Sequence, residues 1–154
     1  MSGRFVQRGG GWVGGQFILL LAITVLGISC RREPGNRQLF LCSLAFLAAA
    51  AICGSAGLIS LGRNLTPFPK PSAKTQLVRH GIYRWLRHPL YTAVMCAAAG
   101  WSLFWQSWPA LATSLVLVVF FDAKARQEER WLQRQFPDYA EYARRVKRFI
   151  PWLY

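Results

Sequence analysis

The stretch Arg87-His88-Pro89-Leu90-Tyr91, with Gly81-Ile82-Tyr83-Arg84 just before it, crowds a histidine, two tyrosines and two arginines into nine residues. Far downstream the chain presents a carboxylate pair, Glu128-Glu129, in the run Asp122-Ala-Lys-Ala-Arg-Gln-Glu-Glu-Arg-Trp-Leu-Gln. Histidine and carboxylate can move a proton. Tyrosine faces can hold a cation, and arginine can pin an anion through two parallel hydrogen bonds. Such groups act together only if the chain brings the two clusters to one place. Mostly apolar residues lie between them, enough to enter and leave a bilayer, so the expected site sits at a membrane surface.

Composition supports that setting. The chain has 154 residues, 53% of them hydrophobic and 16% charged, with seven Trp and ten Phe. The apolar residues are bunched in blocks, as membrane spans require, and are not spread as one face of amphipathic elements. The formal net charge is +13. The basic residues fall between apolar blocks, where anionic headgroups are the natural partner, and nucleic-acid binding is not expected. Cys30, Cys42, Cys53 and Cys96 all lie in apolar blocks without C-x-x-C or His spacing, so packing and not metal binding is expected of them.

Four apolar blocks can be drawn: 11–30, 39–61, 90–105 and 109–121. The first is about as long as the hydrocarbon is thick and is expected to be a retained span, not a cleaved signal. The second carries Ala49, Cys53 and Gly57 on one helical face, a stripe that lets another helix approach closely. The third and fourth are short and are joined by Gln106-Ser107-Trp108-Pro109, which predicts a tight helical hairpin with Trp101, Trp105 and Trp108 near the far interface. Between blocks two and three, residues 62–89 hold four prolines and six Lys or Arg, a loop too patterned for a plain turn. Loop charges orient the chain. Two, six and eight Lys or Arg flank one side against three on the other, which predicts four crossings with both termini and both polar clusters in the cytoplasm.

The fourth helix is expected to continue past the membrane with Asp122, Arg126, Glu129 and Gln133 on one face and Glu128 about 100° away. A solvated stripe of i,i+4 pairs, such as Lys124 with Glu128, would account for a lone charged helix. Asp122 argues otherwise, because an acid directly after Val-Val-Phe-Phe needs a partner. His88 could simply cap the helix that Pro89 begins. Neither a dinucleotide-binding glycine motif after a strand nor a nucleophile elbow is present.

The run from Asn64 to Pro71, then Leu77-Val78-x-x-Gly81-x-Tyr83-Arg84-x-x-Arg87-His88-Pro89-x-Tyr91, resembles the bacterial branch of the isoprenylcysteine carboxyl methyltransferases, which are related to phospholipid methyltransferases. So does the closing Glu128-Glu129-x-x-Leu132, Phe136, Tyr139-x-x-Tyr142, Val146-x-Arg148-x-Ile150-Pro151. The resemblance covers residues 60 to 151. It implies one all-α integral membrane domain over 1–154, with two N-terminal spans over 1–61 and a core over 62–154. In that core a cytoplasmic loop and C-terminal helical tail would hold S-adenosylmethionine at the inner membrane's cytosolic edge, and a lipid-like acceptor would arrive from the bilayer. Carried over by motif, Thr75, Gln76, Leu77, Val78, Tyr83, His88, Pro89, Tyr91 and Glu129 would contact the cofactor. Arg126 would orient the acceptor, with Lys124 as the alternative; Pro137 stands where the family usually has glycine. A carboxylate acceptor needs no base, whereas an amine or thiol would give Glu129 or His88 that duty. A membrane protein without catalysis, binding anionic lipid or a partner, is the reading from another class.

Overall fold

The computed structural model describes residues 9–32, 35–62 and 77–154. Within them lie five α-helices: α1 (Gly10–Ser29), α2 (Arg37–Leu61), α3 (Pro89–Phe104), α4 (Trp108–Gln135) and α5 (Tyr139–Arg145). A 3-10 turn spans Gly81–Arg84, and an isolated parallel bridge pairs Leu86 with Lys147. No strand occurs among the described residues. Each apolar block became a helix, and the fourth continues without a break to Gln135, as its composition predicts.

The helix limits follow from local chemistry. Asn36 starts α2 by accepting from the amides of Gln38 (2.9 Å) and Leu39 (3.2 Å), satisfying donors that have no partner within the helix. Pro89 and Pro109 sit in the first turns of α3 and α4, where a missing N–H costs nothing. Between these helices Gln106 takes a positive φ of 48°, which makes the turn tight. The Ser107 hydroxyl accepts from the Ala110 amide and donates to the Leu26 carbonyl, 2.9 Å away, pinning the hairpin to the end of α1.

Three helices, α1, α2 and α4, are long and apolar enough to cross a membrane, while α3 is shorter at 16 residues. Their outer faces leave Ile18, Ile59 and Val119 at least 70% exposed, a surface suited to lipid. The chain is an integral membrane protein. Inside, Ile23 of α1, Ala98 of α3 and Leu117 and Phe121 of α4 form a buried cluster. Where α3 meets α4, the hydroxyls of Ser102 and Ser114 pair at 3.0 Å, the interhelical hydrogen bond that apolar surroundings favour.

Glycines set the closest approaches. A Cβ on Gly57 would stand 2.8 Å from Leu90 Cδ2, and one on Gly100 would stand 2.8 Å from Leu47 Cγ. The α2–α3 seam therefore includes Gly57 from the expected stripe, while Ala49 and Cys53 of that stripe are half-buried. Gly54 and Gly100, which the sequence did not single out, complete the seam. All four cysteines are free thiols.

Candidate active site

Where α3 begins and α4 leaves the apolar core, the two polar clusters meet. His88 lies immediately before α3 and is buried at 7% exposure. Its ring makes no capping bond. Instead Nε2 lies 3.1 Å from Glu129 Oε1, and Nδ1 lies 3.8 Å from Glu128 Oε2. The imidazole thus bridges the carboxylate pair. Tyr91, on the first turn of α3, stacks on that imidazole at 5.2 Å and donates to Glu128 Oε2 at 2.6 Å. Both carboxylates therefore face α3, although they lie about 100° apart on α4.

Glu129 is enclosed by cations. Arg148 grips it with two bonds, Nε to Oε1 at 3.1 Å and a terminal nitrogen to Oε2 at 2.9 Å. The Arg87 guanidinium approaches Oε1 at 3.5 Å. Arg148 also donates to Asp122 at 2.8 Å, so one guanidinium ties both acids of α4 together. Its hydrogen bonds to Glu129 hold its pKa above the ordinary arginine range, and it stays charged at any working pH. This is the residue that the sequence reading missed as a site residue. Its only signal was a place in the closing Val146-x-Arg148 run. The structure brings it in through backbone: the Arg87 amide donates to the Lys147 carbonyl (2.8 Å) and the His88 amide to the Arg148 carbonyl (3.2 Å).

The other expected site residues fall in three groups. Tyr83, in the 3-10 turn, is half-buried; burial first, then the Glu128 and Tyr142 charges, push its phenol well above its usual range, so it remains protonated. Its carbonyl accepts from the Tyr142 hydroxyl at 2.7 Å, which fixes the turn against α5. Pro89 is buried at the start of α3, Val78 is buried, and Leu77 packs against the Tyr139, Tyr142 and Val146 cluster under α5. Thr75 and Gln76 lie outside the described residues.

Arg126 and Lys124 end in different surroundings. Arg126 does not pair with Glu129; it donates to Asp122 at 2.7 Å and to the Tyr154 hydroxyl at 3.2 Å, with more than half its side chain exposed. Lys124 does not pair with Glu128. It is 2% exposed, donates to Gln16 of α1 at 2.7 Å, and sits over the Tyr91 ring at 5.0 Å. The Arg126–Asp122 pair is an i,i+4 contact along α4, whereas an isolated ladder would not have sent Lys124 to Gln16.

The cluster offers aromatic faces and hydrogen-bonding groups to a ligand, while the charge of Glu129 is already met by Arg87 and Arg148. Two carboxylates and three aromatic rings converge on one edge, and Arg87 Nε is a buried donor with no acceptor among the described residues.

Residues 39–139 match the family model described as phospholipid methyltransferase. Among curated relatives, the cobalt-zinc-cadmium resistance protein CzcN of Cupriavidus metallidurans is 37% identical over 78 residues, 50% of this chain and 36% of that protein. Protein-S-isoprenylcysteine O-methyltransferase A of Arabidopsis thaliana is 30% identical over 128 residues, covering 78% of this chain and 64% of its own length. The protein-S-isoprenylcysteine O-methyltransferase of Schizosaccharomyces pombe is 30% identical over 136 residues, covering 82% and 58%. The chain thus spans less than two thirds of each, and little over a third of CzcN.

Proposed function

Because this chain belongs to the phospholipid methyltransferase family, whose relatives include isoprenylcysteine O-methyltransferases, we propose that it methylates a lipid-like acceptor with S-adenosylmethionine at the membrane edge. The acceptor we favour is the carboxylate of a prenylated cysteine or a similar isoprenoid amphiphile. The observation that carries the reading is the buried His88–Glu129–Arg148 cluster with Tyr91 on Glu128, assembled where two apolar helices end.

Bound there, S-adenosylmethionine would supply a methyl group already activated on a sulfonium, so a carboxylate could displace it in line without a base. The chain's own part is then positioning and charge. Tyr83, His88 and Tyr91 offer ring faces, the motif assigns Thr75, Gln76, Leu77 and Val78 to the cofactor as well, and Pro89 begins the helix beside them. Glu129, fastened by Arg148, supplies negative charge in a defined place. For the acceptor's carboxylate, Lys124 has the better surroundings. It is a buried cation without a carboxylate within 4 Å among the described residues, and its hydrogen-bond partner Gln16 is neutral. Arg126 is the outer alternative, already engaged by Asp122 and Tyr154. The accompanying topology has α3 as a fourth crossing and both termini with the site in the cytoplasm, supported by sixteen Lys or Arg on that side against three.

An amine or thiol acceptor is the second reading, favoured by the family description itself and by the His88–Glu129 contact, which could accept a proton. The test is calorimetric titration of the detergent-purified chain with S-adenosylmethionine, beside a methyl-transfer assay on prenylcysteine and on phospholipid amines. His88→Ala should weaken cofactor binding by about 1–3 kcal/mol. Lys124→Met should spare cofactor affinity and cut turnover on the carboxylate acceptor alone. No cofactor binding by the wild type would end the proposal. Full turnover in Lys124→Met would pass the acceptor role to Arg126.

A further inference from the structure

Away from the cluster just described, the chain has a second concave polar feature. A cavity of about 430 Å³ opens between the segment entering the 3-10 turn and α5, lined by Arg79, Arg84, Glu141, Tyr142, Arg145 and Val146. Three guanidinium groups and one carboxylate border it.

The walls are held in place by contacts that leave the cationic groups facing the space. Arg79 lies 3.6 Å from Asp138 and its guanidinium sits over the Tyr142 ring at 5.9 Å. Arg145 is paired along α5 with Glu141. Tyr142 is itself anchored, its hydroxyl donating to the Tyr83 carbonyl at 2.7 Å. Val146 forms a buried side of the cavity at 8% exposure. Arg84 differs from the other two: it has no acidic partner within 4 Å among the described residues. The cavity therefore has surplus positive charge, and contacts to Asp138 and Glu141 already hold two of its arginines, Arg79 and Arg145.

Its location adds a second argument. Gly81, which opens the 3-10 turn with φ 59°, packs so closely on Ser60 that a Cβ would collide with the serine side chain. Ser60 lies in the last turn of the apolar helix α2. Next to Arg84, Trp85 is 56% exposed and meets Trp152, 81% exposed, with ring centroids 5.9 Å apart. Exposed tryptophans at the end of an apolar helix mark the headgroup level of a bilayer.

We propose that this cavity binds a phosphate-bearing anion, whose oxygens match the planar donor forks of Arg79, Arg84 and Arg145. The source is the headgroup of an anionic lipid or a free phosphate ester; the chemistry of recognition is the same. The proposal does not depend on methyl transfer, although the cavity wall residue Tyr142 also holds the Tyr83 carbonyl.

The test uses the full chain in detergent, titrated with short-chain phosphatidylglycerol, short-chain phosphatidylcholine and glycerol 3-phosphate, with affinity read by thermophoresis. Wild type should bind phosphatidylglycerol more tightly than phosphatidylcholine, and binding should weaken with added salt. Arg84→Gln, which breaks no ion pair, should lose about fivefold in affinity, and Arg84→Lys should recover part of it. Glu141→Gln removes the one lining carboxylate and should tighten binding, a gain that does not rely on Arg84→Gln folding. Glycerol 3-phosphate binding as well as phosphatidylglycerol would identify a soluble ester as the ligand. Undiminished binding in Arg84→Gln, or no tightening in Glu141→Gln, would overturn the proposal.

Discussion

The seam between α2 and α3 and the edge between α3 and α4 are built on opposite terms. In the seam, contact is made by what is missing: Gly57 and Gly100 leave room for Leu90 and Leu47 on the facing helix. At the edge, contact is made by long polar side chains that reach across, with Glu129 touching His88, Arg87 and Arg148. Lipid tails are as apolar as leucine, so the seam is stabilised by closeness and dispersion, and one methyl group too many is felt. The edge is stabilised by charge that has left water, and one charge too few is felt more. The seam fixes the distance at which α3 stands; the edge uses that distance.

The largest expected effect therefore belongs to the edge. Glu129→Ala strips the common partner from His88, Arg87 and Arg148, leaving the buried Arg87 guanidinium without an acid while Arg148 keeps only Asp122. A loss of about 3–5 kcal/mol is expected, read as a fall in the thermal midpoint in detergent. A fall no larger than that of an exposed substitution would mean the edge is not closed in the folded protein. Next comes the seam. Gly57→Val should cost about 1–3 kcal/mol by overpacking against Leu90, while the folded fraction keeps its affinity for S-adenosylmethionine. Equal losses of stability and affinity in that variant would show that the two regions are one unit.

A smaller effect lies under α5 and depends on pH. Burial, opposed by the Arg87 and Arg79 charges and aided by Glu129, pushes the Tyr142 phenol from 10.0 up to about 12. The folded state therefore holds a proton that the unfolded chain releases first. The stability this contributes is complete below pH 10 and is lost as pH rises through about 12. Burial raises Tyr139 and Tyr83 in the same direction. Tyr142→Phe should flatten part of the alkaline fall in denaturation midpoint; an unchanged slope would remove Tyr142 from it. The smallest effect is expected from Arg126→Ala, whose ion pair with Asp122 is open to solvent. Its thermal midpoint should match that of the wild type, because exposed pairs of this kind contribute little. A clear drop would show that Arg126 braces the edge after all.

The same contrast explains what could be read from sequence. Helices were legible because uninterrupted apolar blocks, with Pro89 and Pro109 at the starts of the last two, leave few alternatives. The meeting of His88 and Tyr91 with Glu128 and Glu129 was legible because a hairpin returns the chain to the edge it left. Partner choice was not. The face shared by Asp122, Arg126 and Glu129 does not say which acid Arg126 takes: it turns to Asp122, and Arg148 takes Glu129. Helical periodicity reports which residues share a face, whereas Arg148 arrives from a segment with no periodicity at all. The partner of Lys124 was hidden for a similar reason: Gln16 sits on α1, and nothing in the spacing of α4 points there.

The backbone bridge between Leu86 and Lys147 has a consequence in time. It closes a circuit that takes in all of α3, α4 and α5. A growing chain can thus place every apolar helix in the bilayer while Glu129 still has no bidentate partner, since Arg148 has yet to be made. Chain order thus allows membrane insertion to precede site assembly. The latter waits on residues translated near the end of the first hundred and fifty, so the edge is completed only after the helices that carry it have been made.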